Sequence, residues 1–206
     1  MVYVIALAVL AVLVRVLFRF EYYGKDIIDS YKTNGRPYIV CPNHISAVDP
    51  VLVIVARGTG RKLTIMAKEE LFKNKFFGWL LGKLGAIPVA RGTGDKDVLE
   101  KTIEDIRNGA GVMIFPEGTR GNGNEMGRLK SGAFAVAAQT GADLIPVRII
   151  YHTEDGKMKL LCKATVAIGQ PLTIQQTQLD NGQRQQIRIA KAMLEESYAK
   201  LLEEYK

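Results

Sequence analysis

Apolar residues fall into short blocks separated by glycine and proline, interleaved with longer amphipathic stretches. Tyr38-Ile39-Val40-Cys41 lies between Gly35 and Pro37 on one side and Pro42 on the other. Four apolar residues between such breakers predict a buried strand. Similar runs predict strands at Leu63–Met66, Ile87–Val89, Gly111–Phe115, Leu144–Tyr151 and Lys159–Ile168. Between them the period lengthens to that of a helix. Asp95 to Arg107 places Val98, Leu99, Thr102, Ile103 and Ile106 on one face, and Asn108-Gly109 closes it. Leu129 to Gln139 is a helix rich in small residues, and Gln183 to Tyr205 is a long one with Ile187, Ala190, Leu194, Tyr198, Leu201 and Tyr205 on a single stripe. Alternation of strand and helix predicts an α/β fold: a single-domain sandwich with a mixed, mainly parallel sheet flanked by helices.

Two stretches depart from this pattern. Met1 to Val14 carries no charge, and Arg15, Arg19 and Lys25 follow it. A spanning helix needs about 20 apolar residues, so the run is short for a full crossing. Basic residues after the run, not before it, argue against a secretory signal. Residues 1–24 are expected to be an N-terminal membrane-anchoring segment that spans the bilayer or lies in its interface. Residues 25–206 form the main domain, on the cytoplasmic side of the cell inner membrane. Phe76-Phe77-Gly78-Trp79-Leu80-Leu81, flanked by Lys73, Lys75 and Lys83, fits a membrane interface or a core helix equally.

Composition narrows the partners. At 48% hydrophobic and 24% charged over 206 residues, the chain suits one folded domain and excludes disorder. A net charge of +7 favours anionic partners. No basic-aromatic recognition motif for nucleic acid occurs, so lipid headgroups or phosphorylated substrates are expected instead. Cys41 and Cys162 have no metal-ligand spacing, and no metal is expected.

The candidate chemistry lies just past the first of these strands, in Asn43-His44-Ile45-Ser46-Ala47-Val48-Asp49-Pro50. Strand ends are where α/β sheets present their sites. His44 is one of two histidines in the chain, and histidine exchanges a proton near neutrality. Asp49 would orient it, provided that a turn brings the two together, since residues five apart do not share a helix face. The same residues also fit a capping box from Ser46 to Asp49 or an Asp49 N-cap before Pro50, with no chemistry at all.

A second stretch changes the weighing of these. Gly111–Phe115 runs into Pro116-Glu117-Gly118-Thr119-Arg120. The N-H-x-x-x-x-D box from Asn43 to Asp49 and the F-P-E-G-T-R box from Phe115 to Arg120 resemble those of the glycerolipid acyltransferases, most closely the 1-acylglycerol-3-phosphate (lysophosphatidic acid) acyltransferases. A middle box is matched by Gly85 to Arg91 and a final proline box by Leu144-Ile145-Pro146-Val147. Four boxes in the family's order, over roughly residues 38 to 148, make a specific signal.

The resemblance implies transfer of a fatty acyl group from acyl-CoA or acyl-carrier protein to the hydroxyl of lysophosphatidic acid at a membrane, giving phosphatidic acid in phospholipid biosynthesis, with no other cofactor. It implies His44 as general base and Asp49 as its partner. The acceptor site falls to Glu117, Gly118, Thr119 and Arg120, with Lys68 and Arg91 adding charge at the phosphate. Glu117, unsuited to a phosphate, is expected to hold a hydroxyl or a cation. Asn43 and backbone amides near Pro116-Glu117-Gly118 are candidate oxyanion donors, and Gly121 to Gly127 reads as a mobile loop. Glycerol 3-phosphate or another lysophospholipid is the alternative acceptor. Two more distant readings stay open. One is a serine hydrolase through Ser46, which lacks a G-x-S-x-G elbow. The other is a non-catalytic membrane-binding module.

Overall fold

Strand β2 (Tyr38–Pro42) is buried along its whole length. Its alternate side chains enter two different cores: Tyr38 and Val40 face one, Ile39 and Cys41 the other. A strand covered on both faces needs no polar alternation, which is why its sequence is an unbroken apolar run. The computed structural model describes residues 2–60, 63–89, 95–174 and 181–206.

In chain order the elements are α1 (Val2–Leu17), β1 (Arg19–Tyr23), α2 (Lys25–Thr33), β2, α3 (Asp49–Arg57), β3 (Leu63–Lys68), α4 (Lys75–Lys83), β4 (Ala86–Val89), α5 (Asp95–Arg107), β5 (Gly111–Met113), α6 (Gly132–Thr140), β6 (Asp143–Tyr151), β7 (Lys163–Ile168) and α7 (Asn181–Tyr205). Glu69–Phe72 forms a short 3₁₀ turn after β3. The seven strands make one sheet in the order β1-β7-β6-β2-β5-β3-β4. All neighbours are parallel except β6 and β7. The expected mixed, mainly parallel sheet is therefore present. Helices α1, α2 and α3 contribute to the core on one face, and α5, α6 and α7 to that on the other.

The small residues of α6 pack closely on the sheet, with Ala133, Ala137 and Ala138 buried. Three differences from the sequence reading have local causes. Arg19–Tyr23 was not expected as a strand, yet it is the sheet's edge beside β7. Charges at Arg19 and Glu21 are tolerated there because the edge is half exposed. Strand β7 begins at Lys163, not Lys159, since Leu160 and Leu161 are exposed in the preceding turn. Helix α6 begins at Gly132, not Leu129, although Leu129 is buried.

Helix α1 is two-sided. Leu7, Val14 and Phe18 just beyond its end are buried, while Val4, Ile5, Val9, Val12, Leu13 and Val16 are exposed. The helix packs against α3 and α4 and leads directly into the edge strand. No helix among the described residues is long and apolar enough to cross a membrane. In α4, Trp79 is exposed; the side chains of Phe76, Phe77 and Leu80 lie outside the described residues.

Candidate active site

Strands β2 and β5 are parallel neighbours, so the segments that follow them emerge side by side at the same edge of the sheet. His44 follows β2, and Phe115 to Arg120 follows β5. The first four residues of the His44 loop turn back before α3 begins. Asp49 Oδ2 accepts the backbone N–H of Ile45 at 2.6 Å and of Ser46 at 2.7 Å, and lies 2.9 Å from His44 Nδ1. This is the turn that a pairing over five residues requires. Of the Ser46–Asp49 capping box only the carboxylate's bond to the Ser46 N–H forms: the Asp49 N–H donates to Ser46 O, not to its hydroxyl, α3 is capped at Val48 by no side chain, and the same carboxylate also serves His44.

Asp49 is fully buried, whereas 21% of the His44 side chain is exposed. A carboxylate on Nδ1 keeps the proton there, so Nε2 carries the lone pair. The ring leans on Phe115, with centroids 4.2 Å apart. Burial of Asp49 leaves it dependent on its hydrogen bonds. The Tyr151 hydroxyl, from the end of β6, donates to Oδ1 at 2.6 Å.

The segment after β5 makes a tight turn in which Gly118 N–H donates to Phe115 O at 3.0 Å. Gly118 has φ +68°, a conformation that suits glycine. Its exposed face is crossed by the Lys130 side chain, which a Cβ on Gly118 would meet at 2.8 Å. Thr119 and Arg120 are exposed at the rim.

Glu117 points the other way. It is 4% exposed. Its Oε1 accepts the His44 N–H at 3.0 Å, and its Oε2 accepts the Gly127 N–H at 2.9 Å. Gly127 passes so close that a Cβ there would lie 2.5 Å from Oε2. The structure thus gives the Glu117 carboxylate two backbone amides in place of the substrate hydroxyl or cation expected from sequence.

Asn43 also differs from expectation. Its amide bridges to β6, accepting the Ile149 N–H at 2.6 Å and donating to Ile149 O at 3.1 Å. Its own N–H donates to Val147 O. Asn43 is buried, anchoring the His44 loop to β6, and its side-chain amide is engaged by Ile149. The Gly118 N–H is likewise committed, to Phe115 O.

The Gly121–Gly127 stretch, expected to be mobile from its glycine and asparagine content, is tied at several points. Gly121 N–H donates to His44 O at 2.7 Å, and Lys130 N–H donates to Pro116 O at 2.8 Å. Buried Arg148, from β6, donates to Asn124 O at 2.7 Å. Burial draws the Arg148 guanidinium below its ordinary pKa; Tyr198 and the Glu117 carboxylate pull it back up.

Lys68 ends β3, at the same sheet edge; its side chain lies outside the described residues, as does Arg91 entirely. Ser46 is buried, with its N–H on Asp49, a poor placement for a nucleophile. His152 pairs with Thr165 at 2.8 Å, a structural contact. No cluster of metal-ligating side chains occurs among the described residues. Sequence reasoning missed Tyr151 and Lys130. Neither has a spacing signal: Tyr151 ends an apolar strand, and Lys130 sits in an ordinary Leu-Lys-Ser-Gly stretch.

An acyltransferase family model matches residues 19–150. Among curated relatives, a Bacillus subtilis 1-acyl-sn-glycerol-3-phosphate acyltransferase is 33% identical over 144 residues, covering 66% of each chain. The chloroplastic 1-acyl-sn-glycerol-3-phosphate acyltransferase BAT2 of Brassica napus is 28% identical over 64% of this chain and 38% of its own. A lyso-ornithine lipid O-acyltransferase of Pseudomonas aeruginosa is 31% identical over 58% of this chain and 45% of its own. The matches thus span between about a third and two thirds of these relatives' length. The crystal structure of the 1-acyl-sn-glycerophosphate acyltransferase PlsC from Thermotoga maritima superposes with a TM-score of 0.62 at 24% identity, over 86% of this chain and 71% of that one. That likeness is one of fold.

Proposed function

We propose that this chain, which belongs to the acyltransferase family, moves a fatty acyl group from a thioester to the free hydroxyl of 1-acylglycerol 3-phosphate, forming phosphatidic acid. The observation that carries the reading is the His44–Asp49 pair at 2.9 Å, held beside the Phe115–Arg120 turn by Glu117. A free alcohol is a weak nucleophile near neutral pH, and a positioned base is the remedy. His44 Nε2 takes the acceptor's hydroxyl proton as its oxygen attacks the thioester carbon. The tetrahedral intermediate collapses, the C–S bond breaks, and the thiolate leaves with the proton returned from His44. Asp49 stays ionised and offsets the imidazolium charge. Atoms and charge balance without a covalent acyl-enzyme and without a cofactor; acyl-CoA and acyl-carrier protein are the donors of suitable chemistry.

Arg120 and Lys130 put two cations at the rim of the same turn. A guanidinium matches phosphate oxygens with two parallel hydrogen bonds, so the acceptor's phosphate belongs here, with Lys68 at the neighbouring strand end adding charge. The relatives named for 1-acyl-sn-glycerol-3-phosphate support this acceptor. The Pseudomonas relative, named for a lyso-ornithine lipid, supports a second reading in which another lysolipid takes its place.

Helix α1 has 16 residues, about 24 Å at 1.5 Å per residue, against about 30 Å of bilayer hydrocarbon. With one face packed on α3 and α4 and the other apolar and exposed, it suits a helix lying in the interface. The basic body then rests on anionic headgroups, on the cytoplasmic side of the inner membrane.

The test is a thiol-release assay with acyl-CoA and acyl-carrier-protein donors against lysophosphatidic acid, glycerol 3-phosphate, a lyso-ornithine lipid and a neutral monoacylglycerol. Lysophosphatidic acid should be used best. Equal turnover of the neutral monoacylglycerol overturns the phosphate assignment, and fatty acid release without any acceptor overturns the transferase reading.

A further inference from the structure

We propose that Tyr151 is a positioning residue for the proton transfer, its hydroxyl holding the Asp49 carboxylate in the one orientation that presents Oδ2 to His44. This rests on the reading of His44 as the base. Oδ2 is already occupied by three donors: His44 Nδ1, Ile45 N–H and Ser46 N–H. Oδ1 takes the Tyr151 hydroxyl at 2.6 Å. With both oxygens held, the carboxylate cannot rotate about its Cβ–Cγ bond. Take the hydroxyl away, and Oδ1 becomes a buried anionic acceptor without that donor. It must then turn from His44 or hold a proton more tightly.

The hydroxyl has little freedom itself. Tyr151 is fully buried in the core beneath the His44 loop. Its ring packs against Phe18, with centroids 6.5 Å apart and planes at 50°. Ser46 from the loop and Cys162 before β7 are the other polar groups that face it. Asp49 in turn meets His44, whose backbone N–H is held by the Glu117 carboxylate. Burial first, then the Asp49 charge, push the Tyr151 hydroxyl well above the phenol range. It therefore remains a donor wherever the enzyme would work.

Tyr151→Phe removes the oxygen and keeps the ring, so the fold should persist. Expected in the variant are a kcat lower by about tenfold, the scale of one hydrogen bond to a charged group, and unchanged KM for donor and acceptor. The acid limb of the kcat/KM profile should move up by about one pH unit, because a carboxylate short of one donor binds the dyad's proton more tightly. In an Asp49→Asn background the same change should cost nothing further, since Tyr151 acts only through Asp49. An unmoved kcat and pH profile overturns the inference. So does a fall in Tm with an unmoved profile, which would make Tyr151 a packing residue, or a loss that adds in full to that of Asp49→Asn. If Asp49→Asn itself turns over normally, the dyad reading fails and this inference with it; a crippled Asp49→Asn beside an unaffected Tyr151→Phe sinks the inference alone.

Discussion

Replacing Glu117 by Gln should harm the base and the fold together, and substrate affinity hardly at all. The side chain is 4% exposed and serves two backbone donors, the His44 N–H at 3.0 Å and the Gly127 N–H at 2.9 Å. Glutamine keeps one acceptor oxygen and puts an NH₂ where the other was. One of the two amides then faces a donor. Leaving a buried donor unsatisfied costs about 1–3 kcal/mol. For a chain of this size each kcal/mol lowers Tm by about 2–4 °C. The lost carboxylate charge also removes a favourable field at buried Arg148. Glu117→Ala, leaving both amides unpaired, should cost about twice as much. Because one of them belongs to His44, even a modest shift of that loop misplaces Nε2, and kcat should fall by about tenfold or more, at about 1.4 kcal/mol per decade. Thermal unfolding and steady-state kinetics with both substrates varied check this. A variant with wild-type Tm and kcat but a raised KM for the acceptor alone would show that Glu117 touches substrate, and the tether argument would be wrong.

Three further predictions are simpler. His44→Ala should lower kcat by about 10²–10⁴, the usual worth of a general base, while the protein stays folded by circular dichroism; near-normal turnover would refute the mechanism. Arg120→Ala should raise the acceptor KM by about ten- to a hundredfold, as expected for a charged hydrogen bond, with the donor KM unchanged. Equal discrimination between phosphorylated and neutral acceptors before and after would remove Arg120 from the phosphate site. Val12→Asp with Val16→Asp, both on the exposed face of α1, should weaken co-sedimentation with anionic vesicles at unchanged Tm; retained sedimentation would place membrane contact elsewhere.

What could be read from the sequence was local. Strands β2, β5 and β6 are buried on both faces, so their apolar runs stand out between glycine and proline. The amphipathic stripes of α5 and α7 follow from period alone. The His44–Asp49 pair was legible as a spacing, and only the turn between its members needed the structure. Contacts that cross the sequence were not legible. Asn43 finds its partner at Ile149, and Glu117 finds its partners at His44 and Gly127. In each case a polar side chain in a recognisable box meets a backbone amide, and a backbone amide has no residue type to betray it. For the same reason the 121–127 loop looked mobile: its ties run through main-chain groups, which composition does not register.

Strand β6 explains why so much of the site depends on residues that carry no chemistry. Successive side chains of a strand point to opposite faces. Val147, Ile149 and Tyr151 belong to one face, where the backbone of Val147 and Ile149 fixes Asn43 and the Tyr151 hydroxyl reaches Asp49. Arg148 leaves by the other face, lies 5.9 Å from the Tyr198 ring, and ties the loop at Asn124. One strand thus supports the His44 loop from below and the 121–127 loop from behind, through adjacent residues. A one-residue slip of β6 against β2 would turn Arg148 toward Asp49 and Tyr151 away from it. The register pairing Cys41 with Pro146 and Pro42 with Val147 is therefore a condition of the His44 geometry as well as of the sheet. On the other side of β2, its parallel pairing with β5 brings the turn with Glu117 and Arg120 to the same edge, within one strand of His44.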